Sequence, residues 1–263
     1  MIEEKIMFLA CMINNKKVFA VIMAAGKGTR IGAQDKPKVM FEVAGKPIID
    51  FSIAPLLKLK EEGLIDRIVT VVGFLGNQVI DYLGDKSEYV WQKDQLGTAH
   101  AVRQAEELLF GEEGLTIITN GDHALYSAKT FEKMIKTASE ADATITFATV
   151  VTQDRFESYG RIVRDESAQV ASVVEMPEAT DEQKKIAERS PSIFVVDNKW
   201  LFEALPKIPM SPIKKEYYVN TIVEMAIAEK RKVETVEIED QDEALGINTQ
   251  ADKEEVEQIL NSR

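Results

Sequence analysis

Apolar runs recur along this chain, and each is separated from the next by a stretch whose apolar residues fall at helical spacing. Val18 to Met23 (VFAVIM), Arg67 to Gly73 (RIVTVVG), Glu88 to Trp91 (EYVW) and Leu115 to Thr119 (LTIIT) read as short buried strands. The segments IIDFSIAPLLKLKEEG, NQVIDYL and TAHAVRQAEELLF between them read as helices. A strand buried on both faces loses the alternation of period two, and helices between such strands cover a parallel sheet on both sides. The pattern predicts an α/β fold, Rossmann-like, with a mixed and mainly parallel sheet flanked by helices. Asp142 to Val151 (DATITFATVV) is a further strand.

Beyond Val151 the rhythm changes. GRIVRD and QVASVVEM form an antiparallel pair around ESA, a small lobe beside the main sheet, and SIFVVD returns to that sheet. VNTIVEMAIAEK reads as a helix, VETVEIE as a strand, and TQADKEEVEQIL as a last helix with a capping box of Thr249 and Asp252. Without a long linker, repeat or low-complexity tract, the sequence suggests one domain over residues 17–263 after an N-terminal extension, residues 1–16. In that extension Ile6 to Ile13 (IMFLACMI) is too short to span a bilayer. Glu3 and Glu4 precede it where a signal peptide carries positive charge, so a short helix or an added strand packed on the domain is expected.

The formal net charge is −12, which argues against nucleic acid as a partner, because phosphate binding needs many clustered cations. No membrane partner is expected either. Cys11 is the sole cysteine, so no intrachain disulfide can form and a cytoplasmic setting is expected. Against this acidic background one local cluster stands out: Lys27, Arg30, Lys36 and Lys38, with only Asp35 opposing them.

That cluster follows the first strand, in MAAGKGTR and KPK. Gly26 and Gly28 allow positive φ and leave the backbone N–H groups bare, a combination that suits a phosphate. The spacing is neither the dinucleotide fingerprint nor a P-loop, and G-x-G alone also fits a strand-to-loop turn with solvated basic residues. Asp122 directly follows the apolar run LTIITNG, which places a carboxylate where α/β folds bind ligands. Thr98 stands where the N-cap of a helix is expected. Gln92 offers one donor and one acceptor, which suits the edge of a pyrimidine.

These residues resemble the sugar-1-phosphate nucleotidyltransferases, or pyrophosphorylases, and most closely the uridyltransferase half of the bifunctional N-acetylglucosamine-1-phosphate uridyltransferases. The similarity runs in order through AAGKGTR…KPK, WQKDQLGTAHA, NGD, YGRIVR, VVEM with EATDEQ, EYY and GIN, over roughly residues 17 to 250. The resemblance implies a fold of the nucleotide-diphospho-sugar transferase type, with UTP and a sugar 1-phosphate as substrates. It implies a nucleotide site of Met23, Ala24, Ala25, Gly26, Gly28, Thr29, Gln92, Gly97 and Thr98, with Gln92 and Gly97 reading the uracil. Arg30, Lys38 and Asp122 would be catalytic, and Asp122 and Asn248 would hold Mg2+. Gly160, Glu175 and Asn248 would bind the sugar.

Phosphoryl-type transfer from an already anionic nucleophile needs no proton removed, so His100 and His123 are not expected to act as acid or base. His100 reads as structural and His123 as a neighbour that shapes the metal site. Trp91, Tyr159, Tyr217 and Tyr218 fit packing as readily as sugar platforms. Several acceptor-side positions depart from the family pattern: Pro177 replaces a lysine, Ser190, Pro191 and Ser192 replace Asn-Thr-Gly, Asn220 and Thr221 replace Thr-Asp, and GD-x-P has become GDHA. N-acetylglucosamine 1-phosphate is the expected acceptor. Another sugar phosphate or phosphorylated alcohol, and a non-catalytic nucleotide-sugar binder, remain open. A glycosyltransferase would carry an Asp-x-Asp pair, where this chain has Asp122 alone. The sequence holds no hexapeptide repeat, so acetyl transfer is not expected. Oligomeric state is left undetermined.

Overall fold

A computed structural model of the chain describes residue 13 and residues 16–32 and 34–263. The expected helix or strand over Ile6 to Ile13 lies outside the described residues except for Ile13, which is buried. Cys11 lies outside them too. The first half of the fold runs β1 (Lys17–Ala24), β2 (Glu42–Val43), β3 (Lys46–Pro47), α1 (Ile48–Glu61), β4 (Arg67–Val72), α2 (Asn77–Leu83), β5 (Glu88–Trp91), α3 (Thr98–Arg103), α4 (Glu106–Leu109) and β6 (Gly114–Asn120). The second half continues with α5 (Ala128–Glu140), β7 (Ile145–Val151), β8 (Gly160–Arg164), β9 (Val170–Val174), α6 (Asp181–Lys184), β10 (Glu188–Ser190), β11 (Phe194–Asp197), α7 (Asn198–Ala204), α8 (Thr221–Ala228), β12 (Val233–Glu237) and α9 (Gln250–Ser262).

A ten-stranded sheet, ordered β5-β4-β1-β6-β11-β7-β10-β8-β9 with β12 beside β7, organises these elements. Strands β5, β4, β1 and β6 are parallel. β11 runs antiparallel to both β6 and β7, while β12 joins β7 in parallel. The lobe anticipated from GRIVRD and QVASVVEM is an antiparallel ribbon of β10, β8 and β9 that continues from β7.

β1 shows why a continuous apolar run belongs in the centre of the sheet. Val18, Ala20 and Ile22 join the hydrophobic cluster on one face, Phe19 and Val21 the cluster on the other, and all five are fully buried. Burying a large apolar side chain contributes about 1.5–3 kcal/mol, so β1 is held by both layers. The first layer includes α1, whose Ile49, Ile53 and Leu56 recur at helical spacing on one side. α1 ends just before Gly63, which turns the chain at φ 75°. The second layer includes α7 and α8 through Leu201, Phe202, Ile222 and Val223.

Chain order reverses at β1, because β4 and β5 lie on one side of it and β6 on the other. The crevice beyond the carboxyl ends of strands at such a switch point is where open α/β sheets take ligands. Here the ends are tied together: Gly121 N–H donates to Met23 O at 3.0 Å, and Ser52 Oγ of α1 donates to Gly121 O at 2.9 Å.

Candidate active site

The turn after β1 assigns its two glycines different tasks. Gly28 adopts the left-handed conformation at φ 68°, where an L side chain is strained. Gly26 has no such φ, and a Cβ there would meet nothing within 4 Å. The positive φ expected of the turn therefore belongs to Gly28, whereas Gly26 keeps the cleft floor bare. Met23, Ala24, Ala25, Gly26, Lys38, Gln92, Gly97, Thr98 and Asp122 line one cleft of about 280 Å³, with Glu216 and Tyr218 at its far wall. Gly28 and Thr29 do not line it. Arg30 and Asn248 face an adjoining cavity with Tyr159 and Gly246.

The two cavities meet at a compact charge centre. Lys38 sits in the short turn that follows Pro37, and its Nζ pairs with Asp122 Oδ2 and donates to Asn248 Oδ1 at 3.1 Å. Arg30 Nη2 donates to the same Asn248 oxygen at 2.9 Å. Thus two cations converge on two side chains that reach them from the end of β6 and the entry to α9. Asn248 is held in place by the capping box of α9: Asp252 accepts from the N–H groups of Asn248 and Thr249, both at 2.8 Å, and Thr249 Oγ1 accepts from Asp252 N–H at 3.2 Å.

Asp122 is fixed from its other oxygen as well. His123 Nδ1 lies 2.9 Å from Asp122 Oδ1, and His123 Nε2 lies 3.1 Å from the hydroxyl of Tyr159. That hydroxyl donates to Ala244 O at 2.7 Å and accepts from Gly246 N–H at 3.2 Å. Burial pushes the Asp122 carboxyl up, but the Lys38 ammonium and the His123 hydrogen bond outweigh it and hold the group well below the usual carboxylate range. Asp122 is therefore ionised at neutral pH. Burial and the Asp122 charge push the Tyr159 phenol up, so it stays a neutral hydrogen-bonding group.

Gln92 and Gly97 lie on the loop between β5 and α3, and Thr98 opens α3. Gly97 has φ 107°, and a Cβ there would lie 2.6 Å from Tyr217 O and 2.7 Å from Tyr217 N, so glycine is required. Thr98 corrects the sequence expectation. Gly97, not Thr98, is the N-cap of α3, and no side chain caps that helix. The Thr98 hydroxyl instead accepts from Val219 N–H at 2.9 Å. Two backbone bonds reinforce this tie, from Tyr217 N–H to Leu96 O at 2.7 Å and from Ala99 N–H to Tyr217 O at 2.9 Å.

Around Glu175, three of the positions that depart from the family pattern, Ser190, Ser192 and Asn220, contact one another. Asn220 Nδ2 donates to Glu175 Oε1 at 2.7 Å and to Ser192 Oγ at 3.3 Å, while Ser190 Oγ donates to Asn220 Oδ1 at 3.1 Å. Gly160 abuts this group, since a Cβ there would lie 3.3 Å from Asn220 Nδ2. Burial pushes the Glu175 carboxyl up, and Glu178 and Glu216 add to the rise while Asn220 opposes it. Tyr218, beside the same carboxylates, is pushed up to about 12 by burial and then by Glu175 and Glu216.

Sequence reasoning missed these side-chain partnerships. Asn220 and Ser190 were visible only as departures, and the pairing of His123 with Tyr159 joins residues 36 positions apart. Among the described residues no group of three or more His, Cys, Asp or Glu could hold a metal, and no helix is long and apolar enough to cross a membrane.

A cleft at the switch point of a mainly parallel sheet, floored by glycine and walled by cations and a carboxylate, is the arrangement of a phosphate-handling transferase. The nucleotidyl transferase family model matches residues 19–241, and the chain belongs to that family. It is similar to the bifunctional protein GlmU of Bacillus subtilis (strain 168), at 36% identity over 247 residues, covering 94% of this chain and 53% of the relative. It is also similar to the bifunctional protein GlmU of Limosilactobacillus reuteri (strain DSM 20016), at 36% over 244 residues, covering 93% and 52%, and to that of Enterococcus faecalis (strain ATCC 700802 / V583), at 36% over 245 residues, covering 93% and 52%. The chain spans about half the length of the curated relatives it matches.

Proposed function

We propose that this protein joins UTP to a sugar 1-phosphate, with N-acetylglucosamine 1-phosphate as the first acceptor to test, and releases pyrophosphate in the cytoplasm. The observation that carries the reading is the convergence of Arg30, Lys38, Asp122 and Asn248 at the carboxyl ends of β1 and β6. In this reaction a phosphate oxygen of the acceptor attacks the α-phosphorus of UTP. The bond from the α-phosphorus to the bridging oxygen breaks, and its electron pair leaves with pyrophosphate. Lys38 and Arg30 stabilise the charge that gathers on the transferring and departing phosphates. The bare turn at Gly26 lets backbone N–H groups approach the triphosphate.

The donor set suits magnesium. Asp122 would supply a charged oxygen and Asn248 a neutral one, the same oxygens that here accept from Lys38 and Arg30, and magnesium takes one or two protein oxygens and completes its shell with phosphates and water. The ion would supply charge neutralisation at the phosphates.

The experiment is pyrophosphate release with UTP and a panel of sugar 1-phosphates, with and without magnesium. N-acetylglucosamine 1-phosphate is expected to support turnover. Binding of UTP or a UDP-sugar without pyrophosphate from any acceptor would instead identify a nucleotide-sugar binder. Arg30→Ala is expected to lower kcat by about 10²–10³-fold and UTP affinity far less; an unchanged kcat refutes the role given to Arg30.

A further inference from the structure

Lys38 Nζ bridges two side chains, paired with Asp122 Oδ2 and donating to Asn248 Oδ1 at 3.1 Å. Arg30 Nη2 donates to the same Asn248 oxygen at 2.9 Å. An amide oxygen offers two lone pairs, and these two cations use both. The amide cannot turn its other end to them, because Nδ2 is itself a donor; it faces Gly246 O at 3.4 Å. At Asp122 the second oxygen, Oδ1, has its own partner in His123 Nδ1 at 2.9 Å. The side chains of Lys38 and Asp122 are 13% and 17% exposed, so salt screens their pairing little.

Asp122 Oδ2 and Asn248 Oδ1 are also the oxygens that suit magnesium. An ion ligated by both would lie roughly 2.1 Å from each, in the space that Nζ fills. The ammonium and the ion therefore exclude each other: they need the same lone pairs, and their like charges repel at contact. An ammonium displaced by the ion alone would lose its ion pair with nothing in exchange. A triphosphate in the cleft changes that balance, because Lys38 lines this cleft together with Ala24, Ala25 and Gly26 and would find a new anion there.

Resting on the nucleotidyltransferase reading above, we propose that Lys38 guards the divalent-cation site: its ammonium holds the oxygens of Asp122 and Asn248 until a nucleoside triphosphate draws it away, so the ion enters with the nucleotide and not before it. Lys38 thus has two successive partners, the carboxylate first and the phosphates afterwards.

The test is Mn2+ binding to the whole chain without nucleotide, followed by electron paramagnetic resonance of the free ion. Wild type is expected to hold Mn2+ no more than about twofold tighter than Asp122→Asn does, because the carboxylate is not open to the ion. Lys38→Met is expected to bind Mn2+ at least about tenfold tighter than wild type, the worth of the charged hydrogen bond no longer in the way. Lys38→Gln leaves Asp122 a donor and serves where the methionine unfolds the chain; the same direction of change is expected. Arg30→Met removes an equal charge from Asn248 but leaves Nζ in place, so its affinity is expected to stay within about threefold of wild type. Equal gains in the Arg30 and Lys38 variants are what a general loss of positive charge gives, and they overturn the proposal. No gain in either Lys38 variant overturns it too, as does a wild type that binds Mn2+ about tenfold tighter than Asp122→Asn. Calorimetry of UTP with magnesium reads the underlying function separately. A protein that does not bind UTP sinks the nucleotidyltransferase reading, while the Mn2+ titrations still decide whether Lys38 guards the two oxygens.

Discussion

The two walls of the cleft, proposed above for the nucleotide and for the acceptor, rest on different kinds of sheet. Turn residues 24–26 and Asp122 hang from β1 and β6, parallel strands with neighbours on both edges. Glu175, Ser190 and Gly160 hang from β9, β10 and β8, an antiparallel ribbon at the end of the sheet. On the first side, Asp122 is fixed just beyond the end of β6 by Lys38 and His123. On the second, Ser190, Ser192 and Asn220 differ from the family pattern together and hydrogen-bond as one group around Glu175. A site on central parallel strands holds its chemistry fixed, whereas an edge ribbon can exchange side chains in concert where the exchanged groups hydrogen-bond one another.

The sharpest way to break that contrast is Gly97→Ala. The added Cβ collides with the backbone of Tyr217 at a φ of 107°, so UTP affinity is expected to fall by at least about tenfold, with a loss of stability of about 1–3 kcal/mol. Calorimetry and thermal unfolding read both, and an affinity within twofold of wild type would show that the base-side loop tolerates change as the ribbon does. A smaller effect is expected from Asn220→Ala, which strips Glu175 and Ser190 of their partner. Acceptor KM should rise about tenfold while UTP affinity stays put. Equal damage to both substrates would erase the distinction between the two sides.

Glu175→Gln sharpens the comparison through pH. Burial raises the folded-state pKa of Glu175 above its ordinary value, so the native state holds this proton more tightly than the unfolded chain. Its contribution to stability is fully present below the unfolded pKa and is lost as pH rises through the folded one. The melting temperature of Glu175→Gln is therefore expected to gain on that of wild type by a few degrees as pH rises from the ordinary glutamate range toward neutrality. A gap that does not change with pH would mean that Glu175 is not buried at a cost.

Much of the scaffold was legible because apolar runs and capping chemistry are local signals. Glu88 to Trp91 and Asn77 to Leu83 begin and end where the sequence placed them, and the Thr249–Asp252 capping box forms. TAHAVRQAEELLF read as one helix, but it divides into α3 and α4, because Gln104 and Ala105 close the first through short-range turns. β10 escaped notice: three residues with a buried arginine carry no apolar run. Thr98 looked like a cap since the sequence could not show that Val219 N–H, 121 positions away, would take its hydroxyl. The pairing of His123 with Tyr159 was hidden for the same reason, because hydrogen bonds between distant segments leave no periodic trace.

The stitch between residues 96–99 and 217–219 ties the loop proposed to read the base to the wall proposed for the acceptor. If those two walls take the substrates proposed for them, each substrate binds a segment hydrogen-bonded to the other's, and any coupling between the two affinities is reciprocal.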